Sequence, residues 1–126
     1  MIIPKHGLMS AARLRQELRG VTRVIVARTD GIALYDDVPL KERDGGAALT
    51  AALLGLAATA TAAFRLGAAR ASMTVGEDGT IVFAAVDAGH VIAVILDPEG
   101  DPLAAGDAVL REAERLRALS GMARTS

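Results

Sequence analysis

The chain of 126 residues has no cysteine and no tryptophan, one tyrosine, two phenylalanines and two histidines. Without thiols it has no disulfides, thiolate metal sites or cysteine nucleophiles, and it suits a reducing compartment. With so few aromatics the core must be built from aliphatic side chains and alanine, and apolar residues do make up 52 % of the sequence. Neither sign of charge is in excess, since 14 Lys and Arg face 15 Asp and Glu. No basic patch with interleaved aromatics occurs, which argues against nucleic acid as a partner. The opening MIIPKHGLMS lacks the apolar core and small-residue cleavage site of a secretory signal, so a cytoplasmic location is expected.

Groups able to do chemistry are equally sparse. His6 and His90 are far apart and have no thiol to join them, so no zinc site is expected. Ser10, Ser72 and the threonines sit where caps and strand surfaces use hydroxyls, and no Gly-x-Ser-x-Gly elbow occurs. Asp30, Asp78 and Asp87 lie in turns close to glycine, where a short carboxylate accepts backbone hydrogen bonds. Asp36, Asp37, Glu42 and Asp44 lack the regular ligand spacing of a calcium loop and read as solvated. Gly45-Gly46 precedes a helix, but Asp44 repels an anion there and no Gly-Lys-Ser/Thr follows. No catalytic residue, cofactor or metal site is expected, and the chain reads as non-enzymatic.

What the sequence does have is an uncharged stretch. From Gly45 to Phe64 it carries no charge and no proline, and it is rich in alanine, the best helix former. One long helix is expected. At about 100° per residue, Leu49, Leu53, Leu56, Ala60 and Phe64 form a bulky stripe, and Ala48, Ala52, Gly55, Thr59 and Ala62 a small one. A surface helix normally gives one face to water and fills it with charge, so this helix must be covered on most sides. The leucine stripe is expected on a sheet, and the small stripe on the same helix of a second copy. A membrane span is the competing reading, but alanine, glycine and threonine supply little insertion energy, and strands flank the run, so no span is expected.

The other elements follow from local signals. Met1 to Met9 (1–9) is expected to be a flexible lead-in, with Ser10 capping a short helix that Gly20 ends. Val21 to Thr29 and Ile32 to Tyr35 read as strands joined by Asp30-Gly31, a strong hairpin signal. After the long helix, Ala68 to Gly76 alternates as a half-exposed or edge strand, with Arg70, Ser72 and Thr74 on one side and Ala71, Met73 and Val75 on the other. Thr80 to Val86 and His90 to Leu96 complete a meander and are apolar on both faces, so both faces of the sheet must be covered. A closing amphipathic helix runs from Pro102 or Asp107 through Leu119, with Gly121 as its stop and 121–126 as a tail. The whole is a single domain over 10–120 of α+β class. It is an α/β/α sandwich in the order αββαβββα, with a five-stranded antiparallel sheet, the long helix on one face and the two terminal helices on the other.

This ordered set resembles the Roadblock/LC7 family, the dynein light chain roadblock type, and in particular its bacterial members that regulate small GTPases. The residues that carry the resemblance are Gly20 before VTRVIVART, Asp30-Gly31 before IALY, the Ala/Leu-rich helix, Gly67 before RASMTV, and the meander TIVFAAVDAGHVIAVIL. It implies a dimer in which the central helices pack side by side and the following strands pair into one continuous sheet. With the small stripe, it gives Ala48, Ala52, Gly55, Thr59, Ala62, Arg70, Ser72 and Thr74 as the expected dimer interface. The implied role is a homodimeric regulatory or scaffold module that binds a small Ras-like GTPase. An adaptor that assembles a signalling or cytoskeletal complex without a GTPase is the alternative, and a small-ligand sensor the third reading. Arginines could also act on a GTPase in trans, and Arg23, Arg28, Arg65 and Arg70 are the candidates.

Overall fold

The computed structural model describes residues 1–122. Its elements are α1 (Pro4–Glu17), β1 (Val21–Arg28), β2 (Ala33–Asp36), α2 (Gly46–Ala63), β3 (Ala71–Gly76), β4 (Gly79–Asp87), β5 (His90–Leu96) and α3 (Pro102–Met122). The strands form one antiparallel sheet in the order β2-β1-β5-β4-β3. The expected fold class and element order are those of the structure.

Both sheet faces are buried because β1 and β5 carry unbroken apolar runs, VIVA and VIAV, that point alternately to either side. Val24, Val26, Val82, Ala84, Ile92 and Val94 pack under Leu14 of α1 and Val109, Ala113 and Leu116 of α3. Ile25, Ala27, Phe83, Val91 and Ala93 pack under Ala47 and Leu54 of α2. The β1–β2 connection closes as expected at Asp30-Gly31: the Gly31 amide donates to the Arg28 carbonyl, and Gly31 takes a φ of 94° that suits glycine.

The chain departs from expectation at its first and last helices. α1 begins at Pro4, so the expected flexible lead-in over 1–9 is corrected. Proline at the first helical position loses no needed N–H, the Ile3 amide donates to His6 Nδ1, and Ile2 is buried. Ser10 is therefore no cap; it is buried inside α1, and its hydroxyl has no hydrogen-bond partner among the described residues. α3 begins at Pro102, where Asp101 Oδ1 accepts the Leu103 amide at 3.0 Å, and it runs through Gly106 and Gly121 without a break. Residues 123–126 of the expected tail lie outside the described residues. β3 starts at Ala71, three residues later than expected.

Arginine side chains fix the crossover that delivers α2. Arg23 forks onto Asp36, Nε to Oδ1 at 2.9 Å and a terminal nitrogen to Oδ2 at 2.7 Å, and also donates to the Arg43 carbonyl. Arg43 in turn donates to the carbonyls of Val38 and Asp36. Gly46, the first residue of α2, has no side chain because the Arg23 guanidinium occupies the place of a Cβ. The carboxylate of Asp36 raises the Arg23 pKa, against the opposing effect of burial.

Candidate interaction surface

α2 touches the sheet along a narrow arc. Gly46, Ala47, Thr50 and Leu54 are buried, Ala51, Leu53, Ala57 and Thr61 are half-buried, and the Thr50 hydroxyl donates to the Gly46 carbonyl. The expected leucine stripe does not lie on the sheet. Leu49 is 64 % exposed, Leu56 69 % and Phe64 75 %, Ala60 is exposed, and only Leu53 of that set is half-buried. The reason is steric: Ala47, Thr50 and Ala57 bring the helix backbone close to β1 and β5, leaving the longer side chains on the outward arc.

The small stripe emerges fully, since Ala48, Ala52, Gly55, Thr59 and Ala62 are all exposed. The outward face of α2 thus combines this stripe with Leu49, Leu56 and Phe64 and holds no charged side chain. An uncharged, exposed helix face of this kind is a candidate interaction surface.

β3 borders the same surface. It is the sheet edge: among the described residues it pairs only to β4, and its outer row of amides and carbonyls has no strand partner. Ser72 and Thr74 pair in register with Phe83 and Ile81, whose side chains lie under α2. Residues directly opposite in an antiparallel pair share a face, so Ser72 and Thr74 stand on the α2 side of the sheet. Thr74 and Arg70 are exposed and Ser72 half-buried. All eight residues expected at an interface are thereby at the surface, divided between α2 and the β3 edge beside it. Leu49, Leu56 and Phe64, assigned to the interior from sequence, belong to this surface as well. Met73 and Val75 are exposed too, but on the opposite side of β3, away from α2. The signal for β3 was the alternation of its residues.

An open groove of about 850 Å³ runs beside the C-terminal half of α2. Gly55, Ala58 and Ala62 of α2, Ala85 of β4, and Leu110 and Ala113 of α3 line it, together with Arg65 and Arg70. Of the four arginines considered for action in trans, Arg23 is held by Asp36 and Arg28 by Asp30, whereas Arg65 and Arg70 make no ion pair among the described residues. At the β4–β5 turn, His90 Nδ1 lies 2.8 Å from Asp87 Oδ1 and the Gly89 amide donates to the same oxygen. Burial works against ionised Asp87, but the bonds from His90 and Gly89 outweigh it and hold the carboxyl below its usual range. Among the described residues no three His, Asp or Glu gather as a metal site. Asp36 and Asp37 are engaged by Arg23, Arg15 and the Val24 amide. α2 is long and apolar enough to cross a membrane by length and composition, yet here it packs on β1, β4 and β5.

Comparison with known proteins agrees with this architecture. A Roadblock/LC7 domain structure from Streptomyces avermitilis is 20 % identical and superposes with a TM-score of 0.77 over 86 % of this chain and 92 % of that one. MglB of Myxococcus xanthus is 14 % identical, with a TM-score of 0.79 over 94 % of this chain and 96 % of its own. The gliding protein MglB of Thermus thermophilus is 15 % identical, with a TM-score of 0.76 over 94 % and 91 %. A search of curated proteins finds no match. At these identities the structures speak for the fold, whereas the family itself is settled by sequence: the Roadblock/LC7 domain profile matches residues 10–96, and the chain belongs to the Roadblock/LC7 domain family.

Proposed function

We propose that the chain is a non-enzymatic, cytoplasmic, homodimeric module that binds a small Ras-like GTPase and regulates it or holds it in place. One observation carries the reading: a single chain leaves open both the uncharged outward face of α2 and the edge of β3. In a two-fold dimer each α2 covers the small stripe of the other, and the two β3 edges pair into a longer sheet. The leucine flank, Leu49 and Leu56, stays outward on both copies and gives the platform its apolar contact. Membership of a family of regulators and scaffolds supports this role over catalysis.

The test is a calorimetric titration with a small Ras-like GTPase from the same genome, loaded in turn with GDP and with a non-hydrolysable GTP analogue. Tighter binding of one nucleotide state supports regulation. No binding of either state at tens of micromolar refutes the GTPase reading and leaves the adaptor.

A further inference from the structure

The uncharged helix α2 is bracketed by two charges of opposite sign, Asp44 before it and Arg65 after it. Both have left-handed backbone, with φ of 36° and 58°, and they are the non-glycine residues that do so among those described. At Arg65 this is the left-handed cap that ends α2, where the Leu66 amide donates to the Thr61 carbonyl. At Asp44 the side chain is one that tolerates the region, and both conformations hold the two side chains just outside the helix ends. The Asp44 side chain is 78 % exposed, and its one ion pair reaches Arg23 at 3.5 Å, which Asp36 already satisfies. Arg65 is exposed.

We propose that in the dimer Asp44 of each copy meets Arg65 of the other, so that charge complementarity fixes the direction and the register in which the two α2 helices pair. The inference rests on the dimer reading and goes beyond it by naming the contact. A two-fold axis lying along the strands would put the second α2 on the opposite face of the sheet. Only an axis perpendicular to the sheet keeps both helices in one layer, and it makes them antiparallel. The midpoint of α2 falls between Leu54 and Gly55, and Asp44 and Arg65 are equally distant from it in sequence. Full overlap of two helices about 27 Å long therefore buries the most apolar surface and sets each Asp44 beside an Arg65. At a crossing angle of about 20° the ends remain within reach of an arginine side chain. A parallel pair would oppose Asp44 to Asp44 and Arg65 to Arg65.

The neighbouring charges leave these two in control. Lys41 and Glu42 offset one another, and Arg43 is turned inward to the carbonyls of Val38 and Asp36. At the other end Asp87 is engaged by His90 and Glu114 by Arg117, and Arg70, which lines the same groove as Arg65, keeps its charge in every variant compared below. Each charge also sits at the favourable end of its own helix dipole; that effect acts within one chain, and the experiment separates it.

The dissociation constant of the dimer is measured by sedimentation equilibrium for the wild type, Asp44→Arg, Arg65→Asp, the double variant and an equimolar mixture of the two single variants, with thermal unfolding as the control for folding. Each reversal turns two symmetric attractions into repulsions and is expected to weaken the dimer roughly 10- to 100-fold at low salt. The double variant restores wild-type affinity and the mixture forms the mixed dimer. The differences vanish near 1 M salt, where the screening length is about 3 Å. Asp44→Asn, whose side chain tolerates left-handed backbone, weakens the dimer roughly threefold and guards against a misfolded arginine variant. A wild-type dimer that neither reversal weakens, a loss of stability without loss of affinity, or a double variant that stays weak overturns the pairing. A wild-type monomer is seen before any variant is compared and removes the dimer itself.

Discussion

Asp36→Ala tests how the crossover is held. The Asp36 side chain is 1 % exposed and that of Arg23 16 %, and the two form a bidentate pair whose arginine also donates to the Arg43 carbonyl. Removing the carboxylate leaves a largely desolvated guanidinium with Asp44, at 3.5 Å, as its one remaining carboxylate among the described residues. Breaking a buried pair from one side costs about 3 kcal/mol, which for a domain of this size lowers Tm by roughly 10 °C. Replacing both partners, as Arg23→Met with Asp36→Leu, should recover most of that loss, because no uncompensated charge is left behind. The assay is thermal unfolding by circular dichroism at one fixed protein concentration, since self-association raises apparent stability. A loss below about 1 kcal/mol for the single variant would place the pair among exposed bridges of little worth and refute the account of how α2 is anchored.

Other expectations are independent of that network. Gly7→Ala places a Cβ against Tyr35 Cβ, where backbone-near atoms cannot step aside, and should destabilise by about 1–3 kcal/mol in urea unfolding; an unchanged midpoint contradicts the α1–β2 packing. Leu56→Asp should leave the unfolding midpoint within about 0.5 kcal/mol of wild type, because Leu56 lies outward on α2, while reducing binding to any partner of the leucine flank; a large loss of stability would put Leu56 in the core. Asp87 has a depressed carboxyl pKa, so its contribution to stability is complete above the unfolded value near 4 and is lost as pH falls through the lower folded value. Asp87→Asn should flatten the acid limb of the stability profile below about pH 4, and a profile of unchanged slope there contradicts the His90 and Gly89 contacts.

The sequence carried the fold because its signals agree across levels: β-branched runs, an Asp-Gly hairpin and apolar strand faces that demand layers on both sides. The surface was legible through the small stripe of α2 and the alternation of β3. Which flank of α2 faces the sheet was not, since every position around that helix is apolar or small and periodicity offers no contrast to orient it. Packing decides it instead, as Ala47 and Thr50 bring the helix closer to the sheet than Leu49 or Leu56 could. The early start of α1 is hidden by Ser10, which reads as a cap in sequence, while Gly7 lies inside the helix where it approaches Tyr35 closely. Gly121 reads as a stop in sequence but lies within α3, a helix of 21 residues, and of the two expected starts, Pro102 and Asp107, Pro102 is the one observed.

The most direct measurement is the solution mass of the wild type beside Gly55→Leu, by light scattering after size exclusion. Among the described residues, no atom outside the helix's own backbone comes within 4 Å of the place a Cβ would take at Gly55, so one chain accommodates leucine freely and gains roughly 0.5–1 kcal/mol of helix propensity. The account predicts twice the chain mass for the wild type, and for the variant a folded monomer or a far weaker dimer. A wild-type monomer, or a variant that dimerises as tightly as the wild type, contradicts the placement of α2 at a two-fold interface.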